Sequence, residues 1–338
     1  MATIKEVAAH AGVTPTTVTN VLRGRGRVGD ATRDRVLAAV AATNYHPNLN
    51  ARALVERKSP TLALMLGCLT NPFYPEFTLQ AHLAARSENR FLLICNTDYE
   101  EDGGRQFLNE VAGSLSDGVL VANKGNLNLE QFKSIEKRGV PVVISIWEDP
   151  AQHPGIPCIA FDSTKAGKMA TQHLIDLGHQ HIGALIASPA EGIHAGRYAG
   201  YRDALEEANL PVKTKQIRFC EDTYEDGYRT AFELLTTNKG MTALFVSNDL
   251  PAIGVLDAAA EMGLRVPEDI SVVSVTNIHM ASQSRPGLTT VAIPTTEMAF
   301  EAIEMLLELT RNKPAQPPMK VIEKLRLVER HSTGAPKA

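Results

Sequence analysis

Short side chains, all but Pro15 polar, crowd one stretch near the amino terminus: Thr14, Pro15, Thr16, Thr17 and Asn20, followed closely by Arg23, Arg25 and Arg27. Hydroxyls and an amide of that reach can exchange hydrogen bonds with base edges in a groove, and guanidinium groups neutralise phosphates. Later in the chain a different chemistry is on offer. Arg197 is an always-charged fork suited to a carboxylate, a phosphate or a diol. Asn71, Phe73 and Tyr74, in the run NPFY, supply an amide beside an aromatic wall; Asp162 and Asp249 each close an apolar run, and Trp147 ends another. Small-molecule clefts need such a mixture of aimed polar groups and aromatic surface.

Catalytic signatures are missing. The chain has no G-x-S-x-G, P-loop or H-E-x-x-H motif. GRGRVG, residues 24–29, is formally G-x-G-x-x-G, but it follows a helical pattern where a dinucleotide site requires a strand. His173, His179 and His181 have no common metal-ligand spacing, so structural roles are expected for them. Cys68, Cys95, Cys158 and Cys220 lie far apart beside apolar runs and read as buried thiols of a reducing compartment. Glu100, Glu101 and Asp102 read as a solvated helix start. No cofactor, metal or enzymatic activity is expected.

The elements that must position the first set are short helices. Thr3 and Glu6 have capping-box spacing, which starts a helix at Ile4, and Ile4, Val7, Ala8 and Ala11 give it one apolar face. Gly12 stops it. Thr14 then caps a second helix with Pro15 in its first position, and this helix runs to about Leu22. Val18, Val21 and Leu22 turn inward, leaving Pro15, Thr16, Asn20 and Arg23 outside. A third helix follows an Asp30 cap, with Val36, Leu37 and Val40 closing a three-helix core. A helix-turn-helix divides its residues in this way; the plainer alternative is a helical hairpin inside a larger core. Charge favours the former. Residues 1–60 hold nine Lys or Arg against four Asp or Glu, about +5, whereas the remaining 278 hold 25 against 34, about −9.

From residue 61 the period changes. TLALMLG, RFLLICNT, DGVLVA and VPVVISIW alternate with helical runs, then IPCIAFD, HIGALIAS, KQIRF, ALFVSND, DISVVSVT and LTTVAI repeat the alternation. Runs this apolar imply buried parallel sheets, and two α/β lobes in tandem imply a cleft outside the carboxyl ends of the strands. The 338 residues, 44% hydrophobic, suffice for that architecture. No stretch approaches the roughly 18 apolar residues of a membrane span, and the amino terminus lacks signal-peptide order, so a cytoplasmic protein is expected.

The run from Thr3 to Leu54, with TIKEVAAHAGVTPTTVTNVLRG, RVGDATRDRVLAAVAATNYHPN and ARAL, resembles the lac repressor/galactose repressor family of bacterial transcription regulators. The resemblance extends through the body. It implies an all-α helix-turn-helix head (1–46), a hinge helix and linker (47–60), and a two-lobe body like periplasmic sugar-binding proteins (61–330). Lobe 1 would comprise about 61–161 and 293–322, and lobe 2 about 162–292 and 323–330, crossing near Phe161, Ile293 and Ile322, with a tail at 331–338. It further implies that Pro15, Thr16 and Asn20 read bases and that Leu54 wedges into the minor groove. Thr3, Thr14, Thr17, Arg23, Arg25 and Arg27 would hold the backbone, as would Asn50, Ala51 and Arg52 around the wedge. Phe73, Tyr74, Asp162, Arg197 and Asp249 match cleft-lining positions, which Asn71, Trp147, His194 and Thr276 would complete.

Two positions depart from the family pattern. Thr276 stands where many members have an acidic residue, which tilts the expectation toward an anionic effector, such as a sugar acid or sugar phosphate, served by Arg197, His194 and His279. Asn20 stands where many have Arg, and Asn pairs with adenine where Arg pairs with guanine. The resulting expectation is a homodimeric repressor that binds a pseudo-palindromic double-stranded operator under control of a small-molecule effector, inducer or corepressor. Residues 331–338 hold no Leu heptads for a tetramerising coiled coil. A solute-binding protein of a transport system would share the body but not the basic head.

Overall fold

The computed structural model describes residues 2–22, 24, 26–46, 59–96, 112, 115–122 and 129–337. Two compact units result, Met1–Pro60 and Thr61–Ala338. The calls on Arg23, Arg25, Asn50, Ala51, Arg52 and Leu54, on the acidic run 100–102 and on the helical run 105–115 lie wholly or largely outside the described residues.

In the first unit, α1 (Ile4–Ala11), α2 (Pro15–Leu22) and α3 (Asp30–Ala42) enclose Val7, Ala8, Ala11, Val18, Val21, Val36 and Ala39. Both halves of the capping box form: Glu6 N donates to Thr3 Oγ1 and Thr3 N donates to a Glu6 carboxylate oxygen. Gly12 takes the left-handed conformation (φ 64°) that ends α1. Two expectations fail on α3. Gly29 occupies the N-cap and Asp30 is the first helical residue. Leu37 is 48% exposed, and Ala39 takes its place beside Val36. One step along a helix turns a side chain by about 100°, and α3 carries charges on several sides, so its inner face is weakly marked.

The second unit holds two six-stranded sheets among its described residues, in the orders β11-β5-β4-β3-β1-β2 and β12-β10-β9-β8-β6-β7. The first comprises β1 (Thr61–Leu66), β2 (Phe91–Asn96), β3 (Val119–Val121), β4 (Val142–Trp147), β5 (Cys158–Ala160) and β11 (Met319–Val321). The second comprises β6 (Ile182–Ile186), β7 (Ile217–Phe219), β8 (Ala243–Val246), β9 (Ser271–Thr276), β10 (Thr289–Ala292) and β12 (Arg326–Val328). Every pairing is parallel except that of β10 with β12. Central strands such as β1, β4, β6 and β8 are buried on both faces, which explains their unbroken Leu, Val and Ile runs.

Helices α4 (Phe73–Ser87), α5 (Leu129–Lys137), α6 (Ser163–Asp176), α7 (Ala195–Glu207), α8 (Tyr224–Thr237), α9 (Asp249–Glu261), α10 (His279–Gln283) and α11 (Thr295–Leu309) accompany the strands. The chain passes between sheets three times: after β5, between β10 and β11, and between β11 and β12. Phe161, Ile293 and Ile322 are buried at those passages. The run KVIEKLRLVER is therefore two strands in two sheets. Residues 331–334 are no loose tail. Ser332 is fully buried; its hydroxyl donates to Val272 O (2.6 Å) and accepts from Thr289 N (2.8 Å), and Gly334 O meets the His179 ring at 2.8 Å.

Candidate DNA-reading surface and effector cleft

On α2 the apolar side is Val18 and Val21, so the helix must turn its short polar residues away from the three-helix core. Thr14 Oγ1 accepts from Thr17 N (3.2 Å), satisfying one orphan amide of the helix start, and sits 2.9 Å from Thr17 Oγ1. Thr3, Thr14, Pro15 and Thr16 are exposed, whereas Thr17 and Asn20 are half-buried. The loop after α2 runs beside Asn20: a Cβ on Gly26 would lie 3.5 Å from its amide nitrogen. Arg27, Arg33 and Arg35 are exposed, and among the described residues Arg33 faces Asp30 at 3.9 Å.

In the body, the cleft is lined by residues that follow the carboxyl ends of strands in both sheets. Asn71, Phe73 and Tyr74 come from the turn after β1, Ile146 and Glu148 from the end of β4. Across from them lie Ile193, His194 and Arg197 at the start of α7, Asp222 after β7, Asn248 after β8 and Thr276 at the end of β9. Phe73 and Tyr74 meet edge to face at 5.5 Å. The free space amounts to about 40 Å³.

Arg197 is 3% exposed; it donates to Glu148 Oε1 (2.7 Å) and to Ser247 O (2.8 Å). Arg197 Nε and Glu148 Oε2 are buried and without a hydrogen-bond partner. Asp222 accepts from Asn248 Nδ2 at both oxygens (2.9 and 2.8 Å) and from Asn71 Nδ2 (2.8 Å). The two amides are held from behind. Asn71 Oδ1 accepts from Phe73 N, and Asn248 Oδ1 accepts from Asp249 N and Thr276 Oγ1. Burial pushes the Asp222 carboxyl up to about 7, against the pull of Arg197 and the two amides. The Tyr74 phenol is raised by burial and by the nearby carboxylates.

Several expected site residues sit elsewhere. Asp162 caps α6 by accepting from Lys165 N (2.8 Å) and does not line the cleft. Asp249 is wholly buried behind the lining, accepting from Ser274 Oγ (2.5 Å), Thr290 Oγ1 (2.6 Å) and Ile278 N (2.8 Å). The Trp147 indole turns to Asp149 O and Gln152 O, outside the cleft. His279 is exposed; its amide meets Glu76 and its ring meets Gln283. Thr276 lines the cleft, with its hydroxyl donated to Asn248 and its backbone at φ 128°, a strained value for a β-branched residue.

Asn71, Phe73, Tyr74, His194 and Arg197 do come together at the cleft. Glu148, Asp222 and Asn248 join them unforeseen, although each closely follows an apolar strand. Of the histidine run, His179 is buried against Thr242, Ser271 and Gly334, His173 meets Thr333, and His181 faces Lys213. Cys95, Cys158 and Cys220 are buried free thiols, and Cys68 is half-buried. Among the described residues no cluster of three or more metal-ligating side chains occurs, and no helix is long and apolar enough to cross a membrane.

A helix-turn-helix followed by a two-lobe body with a polar cleft is a combination that comparison can decide. Residues 3–48 match the family described as bacterial regulatory proteins, lacI family, and residues 171–333 match the periplasmic binding protein-like domain. The HTH-type transcriptional repressor PurR of Yersinia pestis bv. Antiqua is 32% identical over 334 residues, 99% of this chain and 97% of its own. The chain belongs to the lacI family of bacterial regulatory proteins. Among solved structures, the transcriptional regulator CelR–cellobiose complex has a TM-score of 0.72 at 27% identity, covering 98% of this chain and 100% of its own. The lac repressor dimer bound to operator and the anti-inducer ONPF has a TM-score of 0.87 at 24% identity, covering 99% of each chain, and shows the shared fold. A LacI-family regulator is a DNA-binding transcription factor with a ligand-binding body, and neither an enzyme nor a solute-binding protein of a transport system is among these relatives.

Proposed function

We propose that the protein is a cytoplasmic homodimeric repressor whose heads (1–46) read the two halves of a pseudo-palindromic operator, and whose affinity for that operator is set by a small molecule held in the cleft of the body (61–330). The observation that carries this reading is the pairing of an exposed polar edge on α2 with a cleft built from both lobes. In this reading Pro15, Thr16 and Asn20 make base contacts from that edge, while Thr3, Thr14, Thr17 and Arg27 hold phosphates. Arg23 and Arg25 extend the phosphate set, and by the family resemblance Asn50, Ala51, Arg52 and Leu54 form a minor-groove hinge within 47–60.

Asn20 supplies one donor and one acceptor in a plane, the pattern that pairs with adenine. Binding of the native protein and of Asn20→Ala to operators changed one base pair at a time tests the reading. The native protein should discriminate by about 1 to 3 kcal/mol at one adenine-containing pair per half-site, and the variant should lose that preference alone. A variant that keeps every preference removes Asn20 from the reading set.

The lining of the cleft favours a neutral effector over an anionic one. Arg197 is already neutralised by Glu148, His279 is absent from the lining, and Asp222 adds a second acid. An incoming carboxylate or phosphate would be desolvated beside two acidic groups with no unpaired cation to meet it.

A further inference from the structure

The hydrogen bonds that join the lobes near the cleft include Arg197 to Glu148, the His279 amide to Glu76, and the Asn71 amide to Asp222. The third differs in kind. Asn71 belongs to the turn after β1 and Asp222 to the loop after β7, so a neutral amide of one lobe donates into a carboxyl of the other. Both amides that face Asp222 have their oxygens fixed by other donors, which sets their NH2 groups toward it. The carboxyl is therefore a prepared acceptor. A carboxylate has about four acceptor sites, and here three contacts arrive from only two amides.

We propose that Asp222 is the residue that selects the effector: it accepts hydrogen bonds from a neutral molecule with paired O–H or N–H donors, which takes the place of the Asn71 amide when the lobes part to admit it. This rests on the cleft being the effector site. The rest of the lining states the same requirement. Glu148 and Arg197 both line the cleft, and Glu148 Oε2 is a buried acceptor without a donor and Arg197 Nε a buried donor without an acceptor, so the complementary molecule brings one further donor and one acceptor. Its apolar face meets Phe73, Tyr74, Ile146 and Ile193. The 40 Å³ of free space is far below an ordinary ligand pocket, so entry requires separation of the lobes and loss of the Asn71–Asp222 bond. Thr276, its hydroxyl hydrogen given to Asn248, can only accept, and through a single neutral oxygen where Asp222 offers two.

Vicinal hydroxyls of a sugar and ring or exocyclic N–H groups of a nucleobase share this chemistry. Calorimetric titration of the full chain separates them, with glucose, galactose and ribose in one arm and uracil and adenine in the other. Each is paired with an anionic counterpart: gluconate, galacturonate, ribose 5-phosphate, orotate and adenylate. A neutral member of one arm should bind at least 100-fold more tightly than its anionic partner. Asp222→Asn should weaken that binding at least tenfold and narrow the neutral-to-anion ratio. Asn71→Ser, which removes the competing amide and leaves an oxygen for Phe73 N, should tighten it. An anion that binds better than its neutral parent overturns the proposal, as does Asp222→Asn within twofold of native, or no neutral member binding in either arm. Phe73→Ala separates the underlying reading: binding that survives it unchanged places the ligand outside the cleft, whereas loss there without loss in Asp222→Asn overturns only the role of Asp222. Operator binding of the same samples without any small molecule tests the regulator independently.

Discussion

Gly200→Ala should unseat Arg197 from a distance. Helices α6 and α7 cross so closely that a Cβ on Gly200 would lie 2.0 Å from Thr164 O and 2.5 Å from Lys168 N, both backbone atoms. The contact is matched from the other side, where a Cβ on Gly167 would lie 2.1 Å from Arg197 O. Ordinary contact begins near 3.4 Å, so relief requires the helices to part by about 1.4 Å. Overpacking of that kind costs roughly 1 to 3 kcal/mol. In a body of this size that is about 2 to 12 °C in Tm, at roughly 2 to 4 °C per kcal/mol. Arg197 lies one helical turn before Gly200, and its 2.7 Å bond to Glu148 does not survive a shift of that size. Thermal unfolding should show the loss, and effector affinity should fall at least tenfold while operator binding without effector persists. Gly240→Ala is the control, since its Cβ would meet nothing within 4 Å and should change stability by less than about 0.5 kcal/mol. A Gly200→Ala protein that melts with the native one and binds effector normally refutes the close-crossing argument.

Removing Asp249 should injure the fold more than the site. Asp249→Ala leaves Ser274, Thr290 and the Ile278 amide without their shared acceptor, and denaturant unfolding should report a loss of about 3 kcal/mol or more. Ending the chain at Arg330 strips partners from Val272 N, Thr289 N and His179, and should cost a similar amount by the same assay. Stability should also depend on pH through Asp222. Its folded value of about 7 lies above the ordinary 3.8, so between about pH 4 and 7 the folded state keeps a proton that the unfolded state has released. Its contribution to stability therefore falls as pH rises through that window and levels off above it, by about 2 to 3 kcal/mol between pH 5 and pH 8. Unfolding at pH 5 and pH 8 should show that difference in the native protein relative to Asp222→Asn; equal slopes in the two would contradict it.

Local signals were the legible ones. The Thr3–Glu6 box, the Gly12 stop and the Thr14–Pro15 start each depend on neighbours a few residues apart, and all formed where the sequence placed them. Unbroken apolar runs marked the strands for the same reason. The cleft was half legible, because a residue at a strand's end is easy to find while its direction depends on the turn that follows. Asn248 and Asp249 are adjacent, yet the first faces the cleft and the second points behind it toward β9 and β10. Asp162 turned back to cap its own helix, a local use that competes with any ligand. Asp222 went unforeseen because its partners, Asn71 and Asn248, lie 151 and 26 residues away. The final residues carry no period at all, and only the structure reveals Ser332 stitched between β9 and β10.

The most direct test is equilibrium binding of the purified protein to the DNA upstream of its own gene, at several salt concentrations, with and without the neutral sugars and nucleobases. The account predicts site-specific binding whose logarithm falls linearly with the logarithm of salt, with a slope of about −0.9 per phosphate neutralised. One neutral compound should shift that binding in the native protein and fail to shift it in Asp222→Asn. Weak, sequence-blind binding there and across a genomic library, unmoved by any compound, would contradict it.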